Sequence, residues 1–201
     1  MMMALTTASL QHAIATIRAK LETEHEGLTE LDGRIGDGDL GITLLKAFRE
    51  LERLSSDLPS DVGIALMQCA AAVTKVSSSS FGTLLATSMM TMAKATKGRN
   101  EVAWSEVPGF MEKAVEAMAA RGKSSLGDKT VLDGLWQAAK SSEGKDDAGS
   151  ILAAARAGID EALTAFRDKP NKIGRARIFA DRTLGMDDPG MVALKVMAAG
   201  L

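Results

Sequence analysis

The chain has 201 residues, 46% of them apolar, a length that supports one domain with a substantial core, spanning residues 1–201, and gives no reason for two. Aromatics reach only 3% and tyrosine is absent, which disfavours a β-sandwich and favours helices packed through alanine, leucine and methionine. The formal net charge of −2 gives no electrostatic basis for binding nucleic acid or an anionic membrane surface, and no run nears the roughly 18 apolar residues of a membrane span.

In chain order, the first apolar stripe places Leu10, Ile14, Ile17 and Leu21 on one face and predicts a helix over about Thr7 to Glu22, capped by Ser9 or Thr7. A second helix is expected from about Gly41 to Ser55, with Leu44, Leu45, Phe48 and Leu51 inward. Ser60 or Asp61 opens a third through "VGIALMQCAAAVTKV". "TLLATSMMTMAKATK" reads as the fourth, its methionines as core filler. A fifth ends near Arg121, "TVLDGLWQAAK" is the sixth, "ILAAARAGIDEALTAF" the seventh, and "MVALKVMAA" the eighth, with Pro189 near its start. No period-2 run of β-branched residues survives. The expected fold is all-α, a barrel or bundle of about eight antiparallel helices.

Lone Cys69, inside an apolar run, reads as a buried thiol. With no secretory h-region in the N-terminal stretch, it predicts a cytoplasmic protein. His12 and His25 read as surface or connection residues, and Trp104 and Trp136 as packing anchors.

Polar, glycine-rich segments fall between alternate helices: "DGRIGDGDLG", "SSSSFG", "GKSSLGDKT" and "GRARIFADRTLGMDDPG". Alternate connections of an up-and-down barrel lie at one end, so four candidate ligand loops should meet on one face. The first holds Asp32, Asp37 and Asp39, which repel one another unless a cation neutralises them. Oxygen donors without His or Cys point to a hard ion, and Mg²⁺ typically takes a few carboxylates together with substrate phosphates. The plainer reading is an Asx/Gly turn capping the second helix, but three acids exceed what a cap requires. The loop does not fit the EF-hand pattern, and the chain has no G-x-x-x-x-G-K-[ST] phosphate loop. "SSSSFGT" offers hydroxyls and N–H groups at a helix start, which suits phosphate.

The motifs "LDGRIGDGDLGITLL", "GDKTVLDGLWQAA" and "GRARIFADRTLGMDDPG", in this order and spacing, resemble the nucleotide-binding L subunit of the dihydroxyacetone kinase family over essentially the whole chain. The resemblance implies a barrel of eight antiparallel helices, in agreement with the helix count. It implies that Asp32, Asp37 and Asp39 hold two Mg²⁺ against the phosphates of ATP or ADP. Leu40, Gly41, Ile42 and Thr43, with Ser79 and Ser80, would wrap the phosphates. Gly122, Val131 and the Asp188-Pro189-Gly190 turn would lie near adenine and ribose, and Arg175 or Arg182 beside the phosphates. It further implies a separate K subunit that holds the ketose, which accounts for the lack of any candidate general base here, and a possible phosphotransferase-system protein as donor. Leu40 stands where the family usually has His, and "SSSSFG" where it commonly reads Gly-Gly-x-Ser-Gly. These two departures motivate an alternative, a non-catalytic nucleotide-responsive regulatory module. A third possibility is a purely structural helical domain with a capping loop.

Overall fold

Thr6 and Ser9 begin the helical part of the chain. Thr6 Oγ1 accepts the Ser9 N–H at 3.3 Å while Ser9 Oγ accepts the Thr6 N–H at 2.6 Å, a reciprocal cap that frees Thr7 to donate to the Pro59 carbonyl at 2.7 Å. The cap is therefore Thr6 rather than Thr7 or Ser9. The structure is a computed structural model and describes residues 4–201.

Eight α-helices follow among the described residues: α1 (Thr7–Ile35), α2 (Leu40–Ser55), α3 (Val62–Val76), α4 (Ser80–Thr96), α5 (Val107–Gly122), α6 (Val131–Ser142), α7 (Ala148–Phe166) and α8 (Pro189–Ala199). The expected all-α barrel is thus present. Two short 3-10 segments, Trp104–Glu106 and Ala176–Thr183, punctuate the connections. A two-residue antiparallel pair, β1 (Leu5–Thr6) with β2 (Glu101–Val102), ties the start of the chain to the α4–α5 connection. Such a pair is too short to leave a period-2 pattern.

Helix α1 departs most from expectation, running 29 residues and thirteen beyond Glu22. The charged run after Leu21 hides a stripe that continues through Leu28 and Ile35 at seven-residue spacing, both nearly fully buried. Lys20–Glu24 and Arg34–Glu30 pairs support the exposed face at i,i+4. Gly27 lies within this helix, faces open space and is tolerated. In consequence Asp32 stands on a helix rather than in a loop.

Neighbours in sequence pack side by side, and α8 returns against α1, α6 and α7 to close the ring. The main core joins Leu21 and Leu28 of α1, Leu44, Phe48 and Leu51 of α2, Val73 of α3 and Ala193 of α8. Each fully buried leucine is worth about 1.5–3 kcal/mol. Helices α1 and α2 meet closely at Gly41, where an added Cβ would lie 1.9 Å from the His25 carbonyl oxygen. Any side chain at that position would force the two helices apart.

Candidate functional site

The four polar loops do converge, around a cavity of about 520 Å³ at one end of the barrel. Four helix N-caps line it: Asp39 of α2, Ser79 of α4, Thr130 of α6 and Asp188 of α8. Even-numbered helices all run away from this end, so their positive dipole ends and unpaired N–H groups face one space. That arrangement favours an anion. Three caps are engaged, with Ser79 Oγ accepting Gly82 N–H at 3.0 Å, Thr130 Oγ1 accepting Leu132 N–H at 3.2 Å and Asp188 Oδ1 accepting Met191 N–H at 2.9 Å.

Asp39 differs, for its side chain makes no cap bond. Instead Asp32, reaching over from α1, accepts the N–H groups of Asp39 and Leu40 on one oxygen at 3.1 and 3.3 Å. Gly38 makes the turn between them at φ +70°, a left-handed conformation that side chains disfavour. Asp32, Asp37 and Asp39 each present a carboxylate oxygen within 4.8 Å of the others. Partial burial, together with the charges of Asp37 and Asp32, raises the Asp39 carboxyl above its ordinary value, and Arg175 partly offsets this. Arg175 comes from the long α7–α8 connection and forms an ion pair with Asp37.

Three negative charges with one arginine leave an excess that oxygen-seeking divalent cations neutralise, and the Asp39 side chain is not spent on a cap bond. The donor set therefore fits Mg²⁺. Phe81, Leu84, Val131, Leu132 and Pro189 supply an apolar part of the wall, which suits a flat ring system.

Of the residues expected at the site, Asp32, Asp37, Asp39, Leu40, Ser79, Ser80, Gly122, Val131, Arg175, Asp188, Pro189 and Gly190 line the cavity. Gly41, Ile42, Thr43 and Arg182 do not. Gly41 is spent on the α1–α2 contact, Ile42 is exposed to solvent, and the Thr43 N–H continues the helix by donating to the Asp39 carbonyl at 2.8 Å. Arg182 stacks over the Phe179 ring at 5.5 Å. Sequence reasoning did not select Thr130, Arg121 or Ser124, which also line the cavity. Thr130 was within reach, because Thr130 and Asp133 form a reciprocal capping pair readable from their spacing.

At the wall itself, burial pushes the Asp188 carboxyl up to about 7, against the lowering effect of the Met191 N–H and the Asn171 amide. Asn171 Nδ2 donates to Asp188 Oδ2 at 2.9 Å and to the Lys129 carbonyl at 2.8 Å.

A family model described as the DAK2 domain matches residues 34–201. The chain belongs to the DAK2 domain family. This DAK2 chain is 28% identical over 194 residues to the ADP-binding subunit DhaL of PEP-dependent dihydroxyacetone kinase 2 from Listeria innocua, covering 92% of this chain and 88% of the relative. To the corresponding Escherichia coli ADP-binding subunit it is 28% identical over 181 residues, covering 87% and 86%. Human triokinase/FMN cyclase is 29% identical over 175 residues, 84% of this chain but 30% of that protein. Among solved structures, the dihydroxyacetone kinase from C. freundii in complex with AMP-PNP and Mg²⁺ superposes with a TM-score of 0.75 at 23% identity, covering 98% of this chain and 34% of that one. The DAK2 chain thus has the fold of one third of a longer kinase.

Proposed function

We propose that this chain is the nucleotide-binding subunit of a dihydroxyacetone-type kinase, with residues 1–201 forming a single nucleotide-binding domain. The observation that carries the reading is the meeting of three carboxylates and four helix N-termini in one cavity. Relatives matched over most of their length are ADP-binding subunits of such kinases, which supports it.

Asp32, Asp37 and Asp39 would hold two Mg²⁺, and Ser79, Ser80 and the N-termini of α2 and α4 would bind the phosphates of ATP or ADP. When bound, the ions supply charge neutralisation between the phosphates and the acidic loop. Arg175 screens the same charge from the opposite side. Gly122, Val131 and the Asp188-Pro189-Gly190 turn receive the base and ribose. The γ-phosphoryl group passes to a hydroxyl of dihydroxyacetone or a related short ketose held on a separate K subunit, since no residue in this cavity offers a ketose anchor. The donor is ATP, or ADP rephosphorylated in place by a phosphotransferase-system protein. No helix among the described residues is long and apolar enough to cross a membrane, in keeping with a cytoplasmic role.

A second reading is favoured by Leu40, a buried apolar side chain at the phosphate end. In that reading the chain binds nucleotide and regulates a partner without catalysis. Phosphoryl transfer to dihydroxyacetone, assayed with a K subunit and Mg²⁺·ATP, separates the two. Transfer that depends on this chain establishes the kinase reading, and nucleotide binding without transfer in the presence of an active K subunit overturns it.

A further inference from the structure

The chain from Arg167 to Gly185 leaves the barrel and returns to where it started. Gly185 N–H donates to the Arg167 carbonyl at 2.9 Å, and an Arg167–Asp187 ion pair at 3.1 Å reinforces the crossing. Inside this neck lies Lys129, fully buried. Its Nζ donates to the carbonyls of Arg167 at 3.0 Å, Lys169 at 2.7 Å and Thr183 at 2.9 Å. An ammonium has three protons, and here every one is used on the backbone of this loop. Lys129 itself is held at φ +61°, a conformation that persists in a lysine only when its surroundings impose it.

Other bonds close the neck from the opposite side. Asn171 binds the Lys129 carbonyl through its amide, its own N–H donates to Thr183 Oγ1 at 3.0 Å, and the Lys172 N–H donates to the Asp128 carbonyl at 3.0 Å. Beyond the neck, little else holds the loop. No residue from 172 to 182 is buried, and Ile178 is 76% exposed. Yet this loop carries Ile173, Gly174, Arg175 and Ala176 to the cavity wall and brings Arg175 to Asp37.

We propose that Lys129 is a positioning residue whose ammonium holds the 167–185 loop closed over the cavity and so sets Arg175 against the aspartate cluster. The ligand that benefits rests on the nucleotide reading above; the tie itself does not.

Lys172, Arg175, Arg177 and Arg182 are exposed in the loop and serve as trypsin sites. In Lys129→Met the stem remains and three carbonyls lose their donor. Cleavage within the loop should quicken by about tenfold, and Mg²⁺·ADP affinity in calorimetry should fall by about tenfold, while the helical signal and a cooperative melt remain. Arg175→Ala should weaken Mg²⁺·ADP binding in the native background and cost nothing further in the Lys129→Met background, because the arginine is already released. Unchanged loop cleavage, or an equal cost of Arg175→Ala in both backgrounds, overturns the assignment. If Lys129→Met fails to fold, Thr183→Val loosens the same neck and the same two readouts decide. If the native chain takes up no Mg²⁺·ADP at all, the nucleotide reading fails and the cleavage comparison alone judges the tie.

Discussion

One oxygen of Asp32, at the end of α1, accepts the N–H groups of both Asp39 and Leu40 at the start of α2. Asp32 is thus a cap for the neighbouring helix as well as a candidate metal ligand, and substitutions separate the two roles. Asp32→Asn keeps an acceptor and should hold the melting midpoint close to that of the native chain. Asp32→Ala should cost about 1 kcal/mol in chemical unfolding. Both should lose Mg²⁺-dependent nucleotide binding in calorimetry. Asp37→Ala should abolish that binding with helicity nearly unchanged, because Asp37 has no backbone donor to satisfy. Retained binding in Asp37→Ala counts against the metal assignment.

Mg²⁺ and nucleotide should stabilise the fold together. At about 100 times its dissociation constant, a ligand that binds only the folded chain adds about 2.7 kcal/mol, a visible rise in melting midpoint. ADP with Mg²⁺ should produce it and ADP with a chelator should not. An equal rise under both conditions argues against the acidic cluster.

The two candidate arginines predict different outcomes. Arg175 pairs with Asp37 at the cavity and Arg182 lies over Phe179 outside its lining. Arg175→Ala should weaken Mg²⁺·ADP about tenfold, in line with loss of a charge-assisted contact to phosphate. Arg182→Ala should leave the dissociation constant within about twofold.

Gly41 sits in the motif attributed to phosphate binding, but its geometry assigns it to helix packing. Gly41→Ala places a methyl group against the His25 carbonyl and should destabilise the fold by about 1–3 kcal/mol in urea unfolding. A phosphate-binding role alone would leave stability in the absence of ligand unaltered.

Asp188 gives a pH dependence of unusual sign. Its carboxyl, about 7 in the fold, is near 3.9 when unfolded, so between those values the folded chain keeps a proton that the unfolded chain releases. Its contribution therefore falls as pH rises, by at most about 1.4 kcal/mol per pH unit. Glu22, Glu106, Asp61 and Asp147 are shifted down and act the other way, but their effect is complete by about pH 5. Melting midpoints from pH 5 to 8 should decline across the window up to 7, and Asp188→Asn, which keeps the helix cap, should flatten the decline.

Much of this was readable in the residues because most helices announce themselves through a 3.6-residue stripe and a cap. Asp61 and the run "VGIALMQCAAAVTKV" mark α3 to the residue. The second half of α1 escaped because its inward residues, Leu28 and Ile35, are spaced seven apart behind a charged face. The aspartates were legible as a cluster since they are neighbours in sequence. The tie between Lys129 and Thr183 was not, because it joins residues 54 apart through backbone carbonyls, and a carbonyl belongs to every residue alike.

The closure of the ring by α8 against α1 also sets when the pocket can exist. Ala193 of α8 completes the same core as Leu21, and Gly200 packs on the backbone of Ile17. The cavity itself draws on residues from Asp32 to Gly190. During synthesis, then, the early helices can form as they leave the ribosome, but the aspartate cluster has no opposite cavity wall until the chain reaches α8. On the nucleotide reading, a chain cut short before α8 should take up no Mg²⁺·ADP, because it lacks the wall that Pro189 and Gly190 supply.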